Sequence, residues 1–214
     1  MRRVLALLFC RGCARPAAAQ DVAPLEVEFP PPFLIGTPVP IRVPHLEAPN
    51  TRPPEIMVPA DVTNLAAGKE VTSSSDFLII GELEFATDGD KYSEEGYFVE
   101  LDTGLQWLQV DLAKEAELYA AVVWHFHSQK RVYHDVIIQI SDDPEFATNV
   151  TTVFNNDHDD SAGMGQGADP AYIETNRGRL IPVDAVSGRY VRAYSQGNTT
   201  DDLNHVVEVD VFGR

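Results

Sequence analysis

An alternation of apolar and polar residues runs through the second half of the chain, and it constrains the fold more than any other feature. A period of two residues places successive side chains on opposite faces of a β-strand. Helix-compatible pieces are short, around residues 112–117 and 143–147, and strands do not alternate with long helices. The pattern therefore predicts an all-β antiparallel sandwich or jelly roll. The predicted strands are Leu105–Leu112, Leu118–His127, Val132–Ser141, Gly188–Ser195 and His205–Phe212.

Proline is concentrated in one segment. Of the 15 prolines, 11 lie between Asp21 and Ala60. Because proline fixes φ and has no N–H donor, residues 20–60 are predicted to form an extended arm, and residues 61–214 to form the folded domain. Two roles stay open for the arm: a plain spacer, or a strap along the domain. A strap would make its contacts through Phe29, Phe33, Leu34, Ile35, Ile41 and Val43.

The first residues have the organisation of an export signal. A basic start precedes the apolar run Val4–Cys10 and the small residues Ala17–Ala19. Residues 1–19 are therefore predicted to be a signal peptide, and the mature chain to be secreted, periplasmic or at the cell surface. An unfolded tail is the alternative. Both cysteines, Cys10 and Cys13, lie in this segment, so the domain itself has neither a thiol nor a disulfide. No other apolar stretch reaches the ~20 residues of a membrane helix.

The charge of the chain is strongly negative, at −17 with a sequence pI near 4.5. A nucleic-acid-binding protein needs basic clusters to neutralise phosphates, so the charge argues against that class. An excess of carboxylates is compatible with a soluble surface or with binding of a cation such as calcium.

Four separate sequence motifs occur in an order that resembles one domain family. They are Asn64–Ser75, Ala86–Asp90, Gln106–Leu112, and Arg189–Arg192 followed by Glu208–Gly213. Together they resemble the discoidin family, the coagulation factor type C domains, within the galactose-binding-like jelly rolls. The resemblance covers about residues 61–214. It implies an eight-stranded antiparallel sandwich with ligand loops at one end, and non-catalytic binding of glycans or of lipid head groups.

The chain departs from the family pattern in two ways. Many animal members join their termini by a disulfide, which this domain cannot form. The segment Phe154–Arg179 is also an unusually long insertion, rich in glycine and aspartate.

The sequence Ala86-Thr-Asp-Gly-Asp-Lys-Tyr-Ser93 is the strongest signal for a site. Asp and Gly favour a tight turn in which carbonyl and carboxylate oxygens converge, and calcium takes about six to eight such oxygens. The resemblance implies a structural calcium here, completed by a glutamate of the last strand. Its ligands would be Asp88, Asp90, Ser93, Glu208 and the backbone carbonyl of Ala86. An Asx turn without a metal is the alternative.

Two further groups of residues offer possible metal ligands. The run Asn155–Asp160 has many oxygens but lacks the spacing of an EF-hand, which favours a solvated loop. His125 and His127 share one face of a predicted strand and form two possible ligands of a zinc ion. Because no further ligand supports zinc, we favour a position of this pair near the ligand loops.

Sugar recognition uses planar hydrogen-bonding groups and an aromatic ring that covers the apolar face of the sugar. Two alternatives stay open: Arg131 pairs with an acid, and Tyr133 belongs to the core. Trp107 and Trp124 are interpreted as packing residues because each lies within a strand. The predicted ligand-binding residues are His127, Arg131, Tyr133, Gln196, Asn198 and Asn204.

Enzymatic motifs are not found. The sequence has no nucleophile elbow around Ser73–Ser75 and no phosphate-binding glycine loop. The sequence therefore predicts an exported, non-catalytic module that binds carbohydrate with the support of calcium. A protein–protein or adhesion module is the alternative, and a metal-dependent hydrolase that uses the histidines is a third.

Overall fold

The computed structural model describes residues 21–37, 39–48 and 51–214. The predicted signal peptide 1–19 lies outside these residues. Apart from one short 3-10 helix, Leu83–Thr87, all elements are strands. None of the described residues forms a helix long and apolar enough to cross a membrane. The strands are β1 (Val22–Pro24), β2 (Met57–Pro59), β3 (Thr63–Asn64), β4 (Glu70–Ser73), β5 (Val99–Leu101), β6 (Gln106–His125), β7 (Ile137–Ser141), β8 (Thr151–Asn155), β9 (Arg179–Ser195) and β10 (Asn204–Gly213).

Every pairing between these strands is antiparallel. The main sheet has the order β3-β10-β6-β9-β7-β8, with β4 also paired to β6 and β5 to β10. A separate two-stranded sheet joins β1 to β2. The predicted all-β antiparallel class is confirmed.

Two long strands bend, and their bends fold the sheet onto itself. The register of β6 against β9 shifts between Asp111 and Ala116, and Ala113 has a φ of 69°. In β9, Ala185 has a φ of 51°. Such bulges bend a strand sharply, so each long strand contributes to both layers of the sandwich. Residues 112–117, which the sequence pattern left compatible with a helix, therefore belong to a bulged strand.

The main core lies between the two layers. The first half of β6 contributes Leu108 and Val110, and its second half contributes Leu118. Facing strands contribute Ile138 and Val209, and these five side chains are at most 1% exposed. Burial of aliphatic side chains such as these is the main source of stability in a sandwich of this kind.

A second apolar cluster lies on the outer face of β6 and β10, where the arm covers it. Val122, Trp124 and Val207 are fully buried there. Leu25 and Val27 of the arm pack against them, and the Phe29 ring lies 6.4 Å from that of Trp124. The described part of the arm thus lies along the sandwich as a strap. Four of the six arm side chains that were predicted to make these contacts are at least 43% exposed to solvent: Phe29, Phe33, Leu34 and Ile35.

Three loops, residues 126–136, 156–178 and 196–203, meet at one end of the sandwich, which we call the loop end. The His134 N–H donates to the Gly197 carbonyl (3.0 Å), and the Glu174 N–H donates to the Arg131 carbonyl (2.9 Å). The arm also reaches this end, because the Ala171 N–H donates to the His45 carbonyl (3.1 Å). The predicted strand Val132–Ser141 begins only at Ile137, since its first residues belong to one of these loops.

Candidate functional site

The acidic turn that follows the 3-10 helix has the geometry of an oxygen-rich loop. The Asp88 carboxylate accepts the Asp90 N–H (2.7 Å), and the Asp90 carboxylate accepts the Tyr92 N–H (2.8 Å). Gly89 between them has a φ of 89°, a conformation that strongly favours glycine. Each aspartate uses one carboxylate oxygen to form its turn, and both aspartates lie at the surface.

Glu208 connects this turn to the last strand. Its side chain is 0% exposed, and its Oε1 accepts the Gly89 N–H at 3.2 Å. Its Oε2 is buried, and none of the described residues forms a hydrogen bond with it. Burial raises the pKa of the Glu208 carboxyl to about 9. A buried carboxylate oxygen without a partner costs free energy unless a proton or a cation neutralises it. Calcium binds carboxylate, hydroxyl and carbonyl oxygens, so the oxygens of this turn together with Glu208 fit a calcium ion.

Ala86 and Ser93, also predicted as ligands, are both buried beside this turn. The Ser93 hydroxyl accepts the N–H groups of His127 (2.9 Å) and Ser128 (3.3 Å), so it joins the turn to the loop after β6. Sequence reasoning did not identify the basic residue of this region. Lys91 forms an ion pair with Asp210 at 3.0 Å.

Two of the six predicted ligand-binding residues hold the loop end together through their amides. Asn204 is 0% exposed and donates to the carbonyls of Asp102 (2.8 Å) and Gly104 (3.0 Å). Its Oδ1 accepts the Ser195 hydroxyl and the Gly197 N–H, both at 2.8 Å.

Asn198, which is also buried, donates to the Asp201 carboxylate (2.7 Å) and to the Leu203 carbonyl (3.0 Å). Both amides thus complete turns inside the loop, as buried polar groups usually do.

The other four predicted residues lie at the same end. Arg131 pairs with Asp201 at 3.1 Å and lies 4.7 Å from the Phe126 ring. Tyr133 is 2% exposed. His127 donates through its Nε2–H to the Lys91 carbonyl (3.0 Å), and its buried Nδ1 has no hydrogen-bond partner among the described residues. Gln196 is half-buried.

A buried network of ionisable groups crosses the sandwich next to these residues. The His125 Nδ1 lies 2.7 Å from the Glu174 carboxylate, and the His125 ring stacks on Tyr133 at 4.3 Å. The Tyr133 hydroxyl lies 2.9 Å from the His205 Nδ1, and the His205 Nε2 lies 3.1 Å from Glu100. Burial lowers the pKa of His205 to about 4. The bonds of His125 and His205 connect them to β5, to the loop 126–136 and to the insertion.

The lowered pKa of His205 predicts a loss of stability in acid. The unfolded chain takes up this proton near pH 6.5 and the folded chain only near pH 4, so stability falls as the pH falls through this interval. We expect a contribution of about 2–3 kcal/mol between pH 7.5 and pH 4.5. Urea unfolding at both pH values measures it, and His205→Asn should lose this part of the difference. His134→Asn, at an exposed position, is the control, and equal pH profiles of wild type and His205→Asn would contradict the prediction.

An open cavity of about 380 Å³ lies at the loop end, between the arm and the loops. Its polar wall consists of His45, His134, Asp135, Asn156, His158 and Asp159. The remaining wall is mostly apolar and comes from Val43, Pro44, Val132, Tyr133 and Ala171. Of the six predicted ligand-binding residues, only Tyr133 lines this cavity.

One wall of the cavity has an amide without a partner. Asn156 is 6% exposed, and its Oδ1 accepts the Val136 N–H at 2.7 Å. Its Nδ2 is buried and has no hydrogen-bond partner in the part of the chain that the structure describes. A buried donor without an acceptor costs about 1–3 kcal/mol, and a ligand oxygen in the cavity would remove that cost.

Carboxylate oxygens of Asp135, Asp157 and Asp159 lie within 4.8 Å of one another, and we call these three residues the acidic cluster. Burial, together with the charges of the other two, raises the pKa of Asp135. The interpretation of Asn155–Asp160 as a solvated loop holds only for its last residues. Asp157 is 0% exposed, and its carboxylate accepts the N–H groups of Ser161 (3.1 Å) and Ala162 (2.9 Å).

Solved structures with the same architecture place this chain among known folds. A family 89 glycoside hydrolase from Clostridium perfringens aligns over 71% of this chain and 14% of its own, with a TM-score of 0.51 and 21% identity. A truncated AlyQ with CBM32 and alginate lyase domains aligns over 72% and 34%, with a TM-score of 0.50 and 18% identity. The chain has the discoidin-like jelly-roll fold. The expectation drawn from the four motifs is thus confirmed for the fold.

A fucose-binding module from Streptococcus pneumoniae is also similar, at 18% identity over 70% of this chain and 96% of its own, with a TM-score of 0.49. The two enzymes above share only a minor part of their length with this chain. Neither a protein-family model nor a curated protein matches the sequence.

Proposed function

We propose that this chain is an exported, non-catalytic module that binds carbohydrate in the cavity at the loop end. The Asn156 amide at the cavity wall is the observation that carries the proposal, because its buried donor has no acceptor among the described residues and an oxygen of a ligand would supply one. Carboxylates and imidazoles nearby can accept or donate hydrogen bonds to hydroxyls, and the apolar wall suits the C–H face of a sugar ring. The discoidin-like fold, which sugar-binding modules also have, supports this function.

The predicted ligand-binding residues then have two roles. Tyr133 lines the cavity but belongs to the buried core, so only the small exposed part of its ring would contact the sugar. Arg131, Asn198 and Asn204 would act by holding the loops in place, since their polar groups bond within the protein. His127 and Gln196 lie at the same end as further candidates.

We also propose that a calcium ion is bound between the acidic turn and Glu208. Asp88, Asp90, Ser93 and the Ala86 carbonyl would provide the other oxygens. The ion would supply positive charge where the buried Glu208 oxygen has no partner, and would fix the turn to the last strand. Its role would be structural, because the cavity wall is built from other residues.

A glycan array followed by titration calorimetry tests the carbohydrate proposal. The full chain in calcium-containing buffer should bind at least one class of saccharide. His134→Trp places a bulky ring in the cavity from an exposed position, and we expect it to weaken binding at least about tenfold. Thr151→Trp, on an exposed position of β8, is the matched control and should bind as the wild type does.

No binding to any glycan would contradict the proposal. Together with the isolation of one defined protein partner, that outcome would favour the alternative of a protein-binding or adhesion module. Wild-type binding by His134→Trp, with its ring in the cavity, would place the sugar elsewhere than in the cavity.

A further inference from the structure

The wall of the cavity is acidic and has no fixed positive charge. Its lining residues include the carboxylates of Asp135 and Asp159 and the imidazoles of His45, His134 and His158, and among the described residues no lysine or arginine lines it. The fully buried Asp157 lies behind these two, within the 4.8 Å span of the acidic cluster. Like charges so close repel one another, and a positive charge on a ligand would relieve that repulsion.

Hydrogen bonds inside the protein satisfy the acidic cluster only in part. Asp135 accepts the Ser161 hydroxyl at 3.0 Å through one oxygen. Asp159 accepts the Ser161 N–H at 3.2 Å, also through one oxygen. Each carboxylate has acceptor capacity left for a donor that enters the cavity. The unpartnered Asn156 amide on the same wall instead requires an acceptor.

The arm forms the opposite wall and closes the cavity on that side. The His45 ring stacks on that of His158 with 3.8 Å between the ring centroids. Backbone bonds between His45, Glu47 and Ala171 fix this part of the arm, and Glu47 pairs with Arg179 at 2.9 Å. Arg179 is thereby engaged with the arm and does not line the cavity.

From this arrangement we propose that the cavity selects saccharides that carry a protonated amine, with the ammonium group bound by Asp135 and Asp159 and a ring or hydroxyl oxygen bound by the Asn156 amide. The inference rests on the proposed function, since it names the class of sugar for the same site. A saccharide with a carboxylate would meet two negative charges in the cavity and would be rejected. A neutral sugar would leave the carboxylates without their cationic partner and would bind more weakly.

Calorimetric titration with oligosaccharides of one backbone and one length tests the charge preference. Glucosamine, N-acetylglucosamine, glucose and glucuronate tetramers are suitable, together with the galactose series if the array favours it. We expect the amine-bearing tetramer to bind at least about tenfold more tightly than the neutral ones, because a hydrogen bond to a charged group adds that much. The glucuronate tetramer should not bind.

Matched variants separate a specific contact from the general attraction of an acidic protein for cations. Asp135→Asn and Asp159→Asn keep the shape of the side chain, and each should lose most of the preference for the amine. Asp184→Asn removes one exposed charge outside the cavity and should keep it. Spermidine, a polyamine without a sugar, should bind at least tenfold more weakly than the amine-bearing tetramer.

The possible failures are distinguishable. If neutral and amine-bearing tetramers bind equally and Asp135→Asn changes neither, the charge selection is wrong while carbohydrate binding stands. If spermidine binds as tightly as the tetramer, the cavity recognises an amine without a sugar and the inference is also wrong. If no saccharide on the array or in solution binds, the proposed function itself fails.

Discussion

Calcium is expected to raise the melting temperature of the chain by about 5–10 °C, and Glu208→Gln is expected to abolish that rise. A ligand at one hundred times its dissociation constant stabilises the native state by about 2.7 kcal/mol. For a protein of this size, each kcal/mol changes the melting temperature by about 2–4 °C. Differential scanning calorimetry with excess calcium and with a chelator measures the shift directly.

The Glu208 carboxylate has the position expected of a calcium ligand. It is 0% exposed, it bonds to Gly89 of the acidic turn through Oε1, and its Oε2 has no partner. Glutamine has the same shape and keeps the bond to Gly89, but it lacks the negative charge that would attract the proposed ion. The variant should therefore fold as well as the wild type in the presence of a chelator, and should differ only when calcium is added.

Two controls make this result specific. Asp184→Asn removes an exposed charge elsewhere and should keep the full calcium shift. Magnesium prefers a smaller and more rigid octahedral site, so it should give a smaller shift than calcium. An identical melting curve of the wild type with chelator and with calcium would contradict the site, as would an undiminished shift in Glu208→Gln.

The alternating residue pattern predicted the strands of the sandwich well because side chains alternate between the two faces of a strand. That alternation decides both which positions are apolar and which are buried. Leu108 and Val110 face the core, and the intervening Gln109 lies on the opposite side of β6. The bends were not predictable in this way. At Ala113 and Ala185 the backbone adopts a positive φ without glycine. The surrounding pairing imposes this conformation, and no local residue signals it.

The candidate sites show a similar limit. Sequence spacing identified the acidic turn and Glu208, which lie 119 residues apart and are joined by a hydrogen bond. It also identified the loops of the loop end, but it could not tell which polar side chains bond within the protein. Asn156 and Asp135 were missed as cavity residues. The acidic run Asn155–Asp160 was noticed, yet only the fold shows that it packs beside residues 132–135 and the arm.

Asn204→Ala is expected to lower the free energy of unfolding by about 3–5 kcal/mol. The Asn204 amide makes four hydrogen bonds at full burial and connects the start of β10 to Gly104, before β6, and to Gly197, after β9. Alanine would leave two carbonyls, a hydroxyl and an N–H without this partner. Each unsatisfied buried group costs about 1–3 kcal/mol, and partial hydration of the loop recovers some of that cost.

The same variant separates the two roles that are open for Asn204. If it holds the loops and does not contact the sugar, Asn204→Ala should weaken ligand binding only to the extent that the loops lose order. A low temperature and added calcium should then restore much of the affinity. Gln196→Ala, at a half-buried amide of the same loop, should change stability by less than about 0.5 kcal/mol. If Asn204→Ala is as stable as the wild type but has lost binding, its amide is assigned to the ligand instead. A residue whose hydrogen bonds hold three segments together cannot be removed without a loss of stability.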